Sequence, residues 1–409
     1  MMKKYRLVLS EDTFLWVKNK EGLAYQSKNY KALVFPLSEK LCEICRHLLV
    51  LENLYTVELT EEELSNCDVR HFVDQILEID AGRLIPETGT EKGAVSLMPV
   101  LKIQEEISDF VKKHERGIGG NIIQHIHELT FYINGSKYGN NRYYRQTIFP
   151  TKHKSTLEIE KILRFIRNSK NPFLTNINLV GDILTYPHFE ALLRQIEAFE
   201  IPVTICITAS DILSNMDILT RIDWHDKTGF RLLTDDKDKI EYAVAFFEDR
   251  AIPFSVDFII FSVQDYLDIQ QISETVKGNL VPLYDGENLD FFESNIFIHQ
   301  EELLASALSK RQIFMRQATN VNHFGKLTIL SDGNVYADVN QASLGTIDDT
   351  VYSIVYREFT EGKSWFKVRD CTPCSDCIYQ WLCPSPSNYE IAIGRSNLCH
   401  VKPDSNAII

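Results

Sequence analysis

The first 85 residues predict a small α+β unit built from short strands and amphipathic helices. The stretches FLWVKN (14–19) and GLAYQ (22–26) flank a two-residue polar turn and predict a β-hairpin. A third strand is predicted at KALVFP (31–36), where β-branched and aromatic residues are enriched. We expect residues 1–85 to form the first domain.

The spacing of apolar residues predicts two helices in the same unit. Ser38 is the expected N-cap of one helix and Asp68 the expected N-cap of the other, because short polar side chains bond the free N–H groups at a helix start. In the second helix, apolar residues recur at intervals of three and four and predict one buried face, formed by Val69, Phe72, Val73, Ile76 and Leu77.

The middle of the chain changes to alternating strands and helices. Residues 86–125 predict a linker that contains one charged helix, and residues 126–300 predict βαβ units with a largely parallel sheet. Six units are too few to close an eight-stranded barrel, so we expect an α/β fold with a partial, open (β/α)6 barrel. The predicted strands are residues 128–134, 176–181, 201–208, 229–234, 252–260 and 279–284.

The last predicted domain, residues 301–409, opens with a hairpin. Apolar and polar residues alternate over 323–339, on both sides of the Asp332-Gly333 turn. This pattern predicts two antiparallel strands ahead of the cysteine-rich tail.

Five of the nine cysteines fall in this tail, and their spacing predicts a metal site. The core reads Cys374-x2-Cys377-x5-Cys383, and Cys399 follows after 15 residues. Four thiolates bind either an iron–sulfur cluster or a zinc ion, and both are compatible with this spacing. Cys371 is the additional cysteine, and we expect it to be a free thiol.

The composition and charge of the chain limit the kinds of partner that we expect it to have. The chain has 409 residues with 44% hydrophobic and 24% charged residues, which is typical of a globular protein with several domains. Charged residues interrupt the N-terminal apolar stretch, and no run of 18 apolar residues occurs, so a cytoplasmic protein without a membrane partner is expected. The net charge of −14 opposes phosphate backbones, so nucleic acid is not an expected partner.

Together these pieces resemble the radical-SAM peptide maturases that carry a C-terminal SPASM domain. The hairpin LTILSDGNVYAD, the following SLGTIDD (343–349) and the cysteine spacing of the tail occur in that family's order. The resemblance covers roughly the last 285 residues and is strongest in the final 90 or so. It implies that Cys374, Cys377, Cys383 and Cys399 hold the family's second auxiliary [4Fe–4S] cluster, with a zinc ion as the alternative.

The family's first auxiliary site lacks its cysteines in this chain. Asp338 stands where a cysteine follows the hairpin glycine, and Ser387 stands where one follows Cys383. The upstream cysteine, expected near Asn320–Asn322, is also absent. The resemblance therefore implies one auxiliary cluster rather than two.

The radical-SAM motif is missing as well. The family follows its first barrel strand with Cys-x3-Cys-x2-Cys, and here Ser136, Asn140 and Tyr143 occupy those positions. None of these side chains supplies a soft anionic ligand, so S-adenosylmethionine is not an expected cofactor. After the second strand, Gly181-Asp182 stands in for the family's cofactor-binding Gly-Gly-Glu-Pro.

The resemblance therefore implies a pseudo-radical-SAM protein of a system that modifies ribosomally made peptides. Its expected role is non-catalytic, and its expected partners are the precursor peptide and a true radical-SAM/SPASM maturase. The alternative is an iron–sulfur electron-transfer protein, or a divergent peptide-modifying enzyme that uses the remaining cluster.

The N-terminal unit resembles the winged-helix-like element that recognises precursor leader peptides in such maturases. That element adds the peptide as a strand beside its third helix. The resemblance implies a peptide-binding set on one strand and one helix, which consists of Ala32, Val34, Phe35, Val69, Phe72, Val73 and Ile76.

Overall fold

The structure is a computed structural model. It describes residues 3–87, 94–101, 120–222, 224, 227–234, 237–272, 276–362 and 364–403. The charged helix predicted within 86–125 falls on residues 102–116, which lie outside the described part of the chain.

The N-terminal region contains two antiparallel three-stranded sheets, with the strand orders β5-β1-β6 and β2-β3-β4. Its elements are β1 (Lys4–Leu9), β2 (Thr13–Lys18), β3 (Glu21–Gln26), β4 (Lys31–Pro36), α1 (Glu39–Leu48), β5 (Thr56–Thr60), α2 (Glu61–Leu64), α3 (Cys67–Glu78) and β6 (Gly82–Pro86). The predictions of β2, β3 and β4 are confirmed.

The sequence patterns missed the second N-terminal sheet. Strand β1 pairs with β5 and β6, and the partners Lys4–Thr60 and Tyr5–Pro86 are far apart along the chain. No tight turn connects these strands, so the local signal that identifies a hairpin is absent.

The predicted N-cap is correct for α1 and wrong for α3. The Ser38 side chain accepts a hydrogen bond from the N–H of Leu41, so the predicted cap of α1 is confirmed. Helix α3 is capped by Asn66, whose side chain accepts from the N–H groups of Asp68 and Val69, so the predicted cap at Asp68 is wrong. Leu77 is 40% exposed and does not belong to the buried face of α3.

The rest of the chain forms a mixed α/β fold around a mostly parallel sheet, which in the described residues has nine strands. The strands are β7 (Glu128–Tyr132), β8 (Asn176–Val180), β9 (Val203–Thr208), β10 (Thr228–Thr234), β11 (Phe254–Ile260), β12 (Asn279–Pro282), β13 (Lys326–Ile329), β14 (Asn334–Tyr336) and β15 (Gly345–Thr346). All six predicted strands of the middle region are present and pair in parallel.

Strand order follows chain order from β7 to β12, which is the arrangement expected of an open barrel. The helices of this region are α4 (Ile159–Ser169), α5 (Phe189–Glu197), α6 (Ala209–Ser214), α7 (Met216–Leu219), α8 (Lys237–Asp249), α9 (Val263–Ile272), α10 (Leu289–Asn295), α11 (Gln300–Ala305), α12 (Lys310–Ala318), α13 (Val351–Thr360) and α14 (Asn388–Ile393). None of the helices in the described ranges combines the length and apolar character needed to cross a bilayer.

The predicted C-terminal hairpin is confirmed, and it is joined to the parallel sheet. Strands β13 and β14 pair across the Asp332-Gly333 turn, where Gly333 has φ +88. Strand β13 also runs parallel to β7, with Lys326 opposite Glu128. The hairpin therefore extends the barrel sheet at its β7 edge, which the sequence did not predict.

Candidate metal centre and barrel mouth

The four cysteines of the predicted metal site come from three short segments of the tail. Cys374 opens a 3-10 turn that ends at Asp376, and Cys377 follows it directly. Cys399 forms an isolated bridge with Ile298. Cys374, Cys377 and Cys383 are buried, Cys399 is half-buried, and the additional Cys371 is exposed.

The pKa values of Cys377 and Cys383 are affected by the other thiols of the predicted site. Burial raises the pKa of Cys383 to about 12, the guanidinium of Arg369 opposes this rise, and the thiols of Cys399, Cys377 and Cys374 add to it. The pKa of Cys377 is also raised, first by burial, and Cys399 and Cys374 contribute again. Cys374, Cys377 and Cys399 thus act on the pKa of Cys383, and their role as a common set of metal ligands stays a prediction.

Nitrogen donors point at two of the four sulfurs. The side-chain amide of Asn397 lies 3.5 Å from the sulfur of Cys374, and Nη1 of Arg369 lies 3.9 Å from the same atom. The backbone N–H of Val401 donates to the sulfur of Cys399 at 3.3 Å. N–H donors of this kind stabilise an anionic sulfur, which is the form that binds a metal.

The donor set fits a thiolate-bound metal in its chemistry. It consists of four thiols, without a disulfide, beside three N–H donors. Among the described residues, no three Cys, His, Asp or Glu side chains lie close enough together to hold a metal ion. Metal binding at this site would therefore draw the sulfurs closer together than they lie in the structure.

The positions that lack cysteines also come together. Asn322, Asp338 and Ser387 line one cavity of about 340 Å³ between the barrel interior and the tail. His323 lines it too, and its Nε2 lies 3.9 Å from a carboxylate oxygen of Asp338. Burial lowers the pKa of His323, although Asp338 opposes this shift.

Hydrogen bonds occupy the side chains at these positions. Asp338 accepts from the backbone N–H of Asn340 at 2.9 Å, and the Asn322 amide donates to the carbonyl of Pro386 at 3.1 Å. Ser387 caps α14 together with Glu390. Asn322 and Ser387 therefore serve the packing of the tail, whereas Asp338 is bonded within the loop after β14.

At the mouth of the barrel, Ser136 is bonded to a buried carboxylate. The hydroxyl of Ser136, which is 3% exposed, donates to Oδ2 of Asp211 at 2.9 Å and itself accepts from the N–H of Tyr138 at 3.0 Å. The hydroxyl of Thr208 donates to the same carboxylate oxygen at 2.8 Å. Burial raises the pKa of Asp211, while the bonds from Thr208 and Ser136 oppose the rise.

Sequence reasoning missed Asp211, although a signal was present. Thr208 ends strand β9 and Asp211 follows three residues later, which is the spacing of a capping pattern at a strand-to-helix junction. The Thr208 side chain accepts from the N–H of Asp211 at 3.0 Å and caps α6. The carboxylate thus lies at the carboxyl end of the parallel strands, where α/β proteins place functional groups.

The loop after β7 folds back over this end of the barrel. The Asn140 N–H donates to the carbonyl of Pro150 at 2.7 Å, and the Asn140 side chain accepts from the N–H of Arg142 at 2.8 Å. The ring of Tyr143 lies 5.4 Å from that of Phe149 and 5.6 Å from that of Phe261. Ser136, Asn140 and Tyr143 are therefore all used in closing the loop.

The turn after β8 is tightly packed against the end of β7. Gly181 has φ +134, and a Cβ at this position would lie 2.4 Å from the side-chain oxygen of Asn134. The Asn134 amide donates to the carbonyl of Asp182 at 2.9 Å. This contact ties the turn after β8 to the end of β7.

The peptide-binding residues expected in the N-terminal region divide into two groups. Phe35 contacts Phe72, with ring centroids 4.7 Å apart, and both belong to the N-terminal core together with the other helix residues Val69, Val73 and Ile76. Ala32 and Val34 are half-buried and pack instead against the cysteine-containing tail.

The outer edge of β4 is unpaired in the described residues. Leu37 donates its backbone N–H to the carbonyl of Lys20, so Leu37 and Lys20 form a hydrogen-bonded pair in the β3–β4 ladder. Because such pairs alternate in antiparallel strands, the backbone groups of Ala32 and Val34 point to the open edge. That edge has the unpaired groups that strand addition requires.

Comparison with known proteins gives matches among solved structures only. No protein-family model matches the chain, and no curated protein matches it. The crystal structure of SuiB from Streptococcus suis aligns over 98% of this chain and 100% of its own, with 13% identity and a TM-score of 0.43. SuiB bound to the precursor peptide SuiA aligns over the same shares, with 12% identity and a TM-score of 0.41. SuiB bound to S-adenosylmethionine also covers these shares, with 13% identity and a TM-score of 0.41.

Proposed function

We propose that this protein is a non-catalytic, pseudo-radical-SAM partner in the maturation of a ribosomally synthesised peptide. The observation that carries the proposal is the bond between Ser136 and Asp211 at the barrel mouth. In the resembling family a cluster thiolate occupies the position of Ser136. Here the Ser136 hydroxyl donates to the buried carboxylate of Asp211 instead. Asn140 and Tyr143 also make contacts that hold the loop after β7 in place. The three side chains therefore have structural roles, and the barrel serves as a scaffold.

The precursor peptide is proposed to add to the open edge of β4. The outward backbone groups of Ala32 and Val34 would bond the peptide, because extended peptides recognise unpaired strands through main-chain hydrogen bonds. Phe35, Val69, Phe72, Val73 and Ile76 would act from the core by holding β4 against α3. The second proposed partner is the true radical-SAM/SPASM maturase.

The tail is proposed to hold one [4Fe–4S] cluster, or alternatively a zinc ion, through Cys374, Cys377, Cys383 and Cys399. When bound, the metal would supply cross-links that order a loop-rich segment. The same segment supports the N-terminal sheet, because Cys377 and Cys383 belong to one apolar cluster with Tyr25.

Tyr25 also makes a direct contact with the segment before α12. The hydroxyl of Tyr25, on the strand next to β4, accepts from the N–H of Leu308 at 2.7 Å and bonds the carbonyl of Leu308 at 3.0 Å. Because Tyr25 also packs in one cluster with Cys377 and Cys383, a metal in the tail would stabilise the surface on which the peptide-binding sheet rests.

The test combines three measurements on anaerobically purified protein. We expect co-elution with the precursor peptide or the maturase, no reductive cleavage of S-adenosylmethionine, and about one cluster's worth of iron and sulfide per chain. Cleavage of S-adenosylmethionine by the isolated protein would refute the non-catalytic role. Failure to bind either partner would refute the role in peptide maturation, whatever the metal content.

A further inference from the structure

A buried ion pair lies directly beside the cysteine site. The side chains of Arg369 and Glu390 are only 7% and 6% exposed, and Nη2 of Arg369 lies 2.6 Å from a Glu390 oxygen. Two buried charges are costly to remove from water, and an apolar pair of similar size often stabilises a fold as well. The presence of this pair therefore calls for a reason beyond packing.

The remaining bonds of Arg369 fix the direction of its guanidinium group. Its Nε donates to the carbonyl of Pro384 at 2.5 Å, and its own carbonyl accepts from the Gln380 amide at 2.5 Å. Glu390 is fixed in turn, since it also accepts from the N–H of Ser387 at 2.5 Å. With Nε and Nη2 occupied in this way, Nη1 faces the sulfur of Cys374 at 3.9 Å.

Asn397 approaches the same sulfur from another segment. It is 3% exposed, and its Nδ2 lies 3.5 Å from the Cys374 sulfur and donates to the carbonyl of Lys402 at 3.0 Å. Cys374 is therefore contacted by donors from residues five positions before it and 23 positions after it. The sulfur of Cys374 therefore lies beside both a positively charged guanidinium group and a side-chain amide.

We propose that Arg369 and Asn397 are positioning residues that hold Cys374 as a metal ligand and offset the negative charge of the loaded site. Four thiolates around a divalent centre leave about two negative charges in a largely buried place. Groups behind the ligands orient them and tune the metal, and their loss commonly weakens metal binding by about 10–100-fold. This inference rests on the proposed metal site.

The experiment uses the full-length protein and Co²⁺ alone as the probe, under anaerobic conditions. Thiolate-bound Co²⁺ has a charge-transfer absorption, so competition with a chelator yields a dissociation constant and the band position reports on the sulfurs. The variants are the neutral pair Arg369→Gln/Glu390→Gln, the single Asn397→Ala, and Arg369→Lys. The matched control is Arg395→Gln/Glu293→Gln, which removes an ion pair, 2.7 Å long, between the tail and α10.

We expect the dissociation constant for Co²⁺ to rise about 10-fold or more in the neutral pair and the band to shift, with partial recovery in Arg369→Lys. Asn397→Ala is expected to weaken binding in the same direction, and the control is expected to match wild type. If the neutral pair fails to fold, as judged by circular dichroism, Asn397→Ala decides the question.

Two outcomes would overturn the inference while leaving the metal site in place. In one, all variants bind Co²⁺ as tightly as wild type, with the same band. In the other, the control loses as much affinity as the neutral pair, which would indicate general destabilisation. If wild type binds no Co²⁺ and contains no iron or zinc, the proposed metal site itself is wrong and the inference falls with it.

Discussion

The hydroxyl of Ser136 donates to Oδ2 of Asp211 across 75 positions of the sequence, over a distance of 2.9 Å. The bond joins the loop after β7 to the start of α6, and both lie at the carboxyl end of the parallel strands. It helps to close the barrel mouth, because a buried carboxylate there requires hydrogen-bond donors and the loop provides one.

Ser136→Ala should destabilise the protein without changing its metal content. The substitution leaves the buried Asp211 carboxylate with one side-chain donor fewer, which costs about 1–3 kcal/mol of the free energy of unfolding. Denaturant unfolding and an iron and zinc assay on the same sample would check this. An equally stable variant would indicate that the bond does not close the mouth.

Introducing cysteines at the three positions of the resembling family's motif should not create a radical-SAM cluster. The triple variant Ser136→Cys/Asn140→Cys/Tyr143→Cys keeps a loop whose backbone is bonded at Pro150, and it keeps Asp211 beside the first new thiol. We expect iron per chain equal to wild type and no cleavage of S-adenosylmethionine after anaerobic reconstitution. An added cluster would show that the barrel can hold one once the ligands are present.

Cys377→Ser should abolish metal binding, whereas Cys371→Ser should not. Cys377 is buried, as are Cys374 and Cys383, whereas Cys371 is exposed. Metal analysis would show a loss in the first variant only. Hydrogen exchange should also become faster in β2–β4 for Cys377→Ser, because the tail supports that sheet through Tyr25. Equal metal loss in both variants would make Cys371 a ligand.

The open edge of β4 can be tested with proline. Val34→Pro removes an outward N–H, and an edge strand tolerates this change better than a central one. Val34→Thr keeps the donor and is the matched control. We expect the affinity for a labelled precursor peptide to fall about 10-fold in Val34→Pro, the equivalent of losing one or two main-chain hydrogen bonds. Equal affinity of both variants would place the peptide elsewhere.

Glu358 should make the protein less stable as the pH rises through weakly acidic values. Burial raises the pKa of this carboxyl from 4.5 to about 6, although the N–H groups of Trp365 and Ser364 oppose the rise. The folded state therefore binds the proton more tightly than the unfolded state, and about 2 kcal/mol of stability is lost in total as the pH rises from well below 4.5 to well above 6.

Glu358→Gln provides the control for this pH dependence. The amide oxygen still accepts from Ser364 and Trp365, which Glu358 bonds at 2.9 and 2.7 Å, but the side chain no longer titrates. Unfolding curves measured at several pH values should be flatter for the variant. A variant with the same slope as wild type would assign the pH dependence to another group.

The sequence by itself determined the run of six parallel strands, the C-terminal hairpin and the four cysteines. It also identified the positions without thiolates, such as Ser136 and Asp338. These features are readable because apolar periodicity, turn residues and ligand spacing are local properties of a chain.

Only the tertiary structure decided which distant groups meet. It brought Asp211 to Ser136, Arg369 and Asn397 to Cys374, and β13 to the edge of β7. Each of these contacts depends on how a strand, a loop or a buried side chain satisfies its hydrogen bonds after the chain has folded. A contact of this kind produces no periodic pattern in the sequence around either residue, so the sequence alone could not predict it.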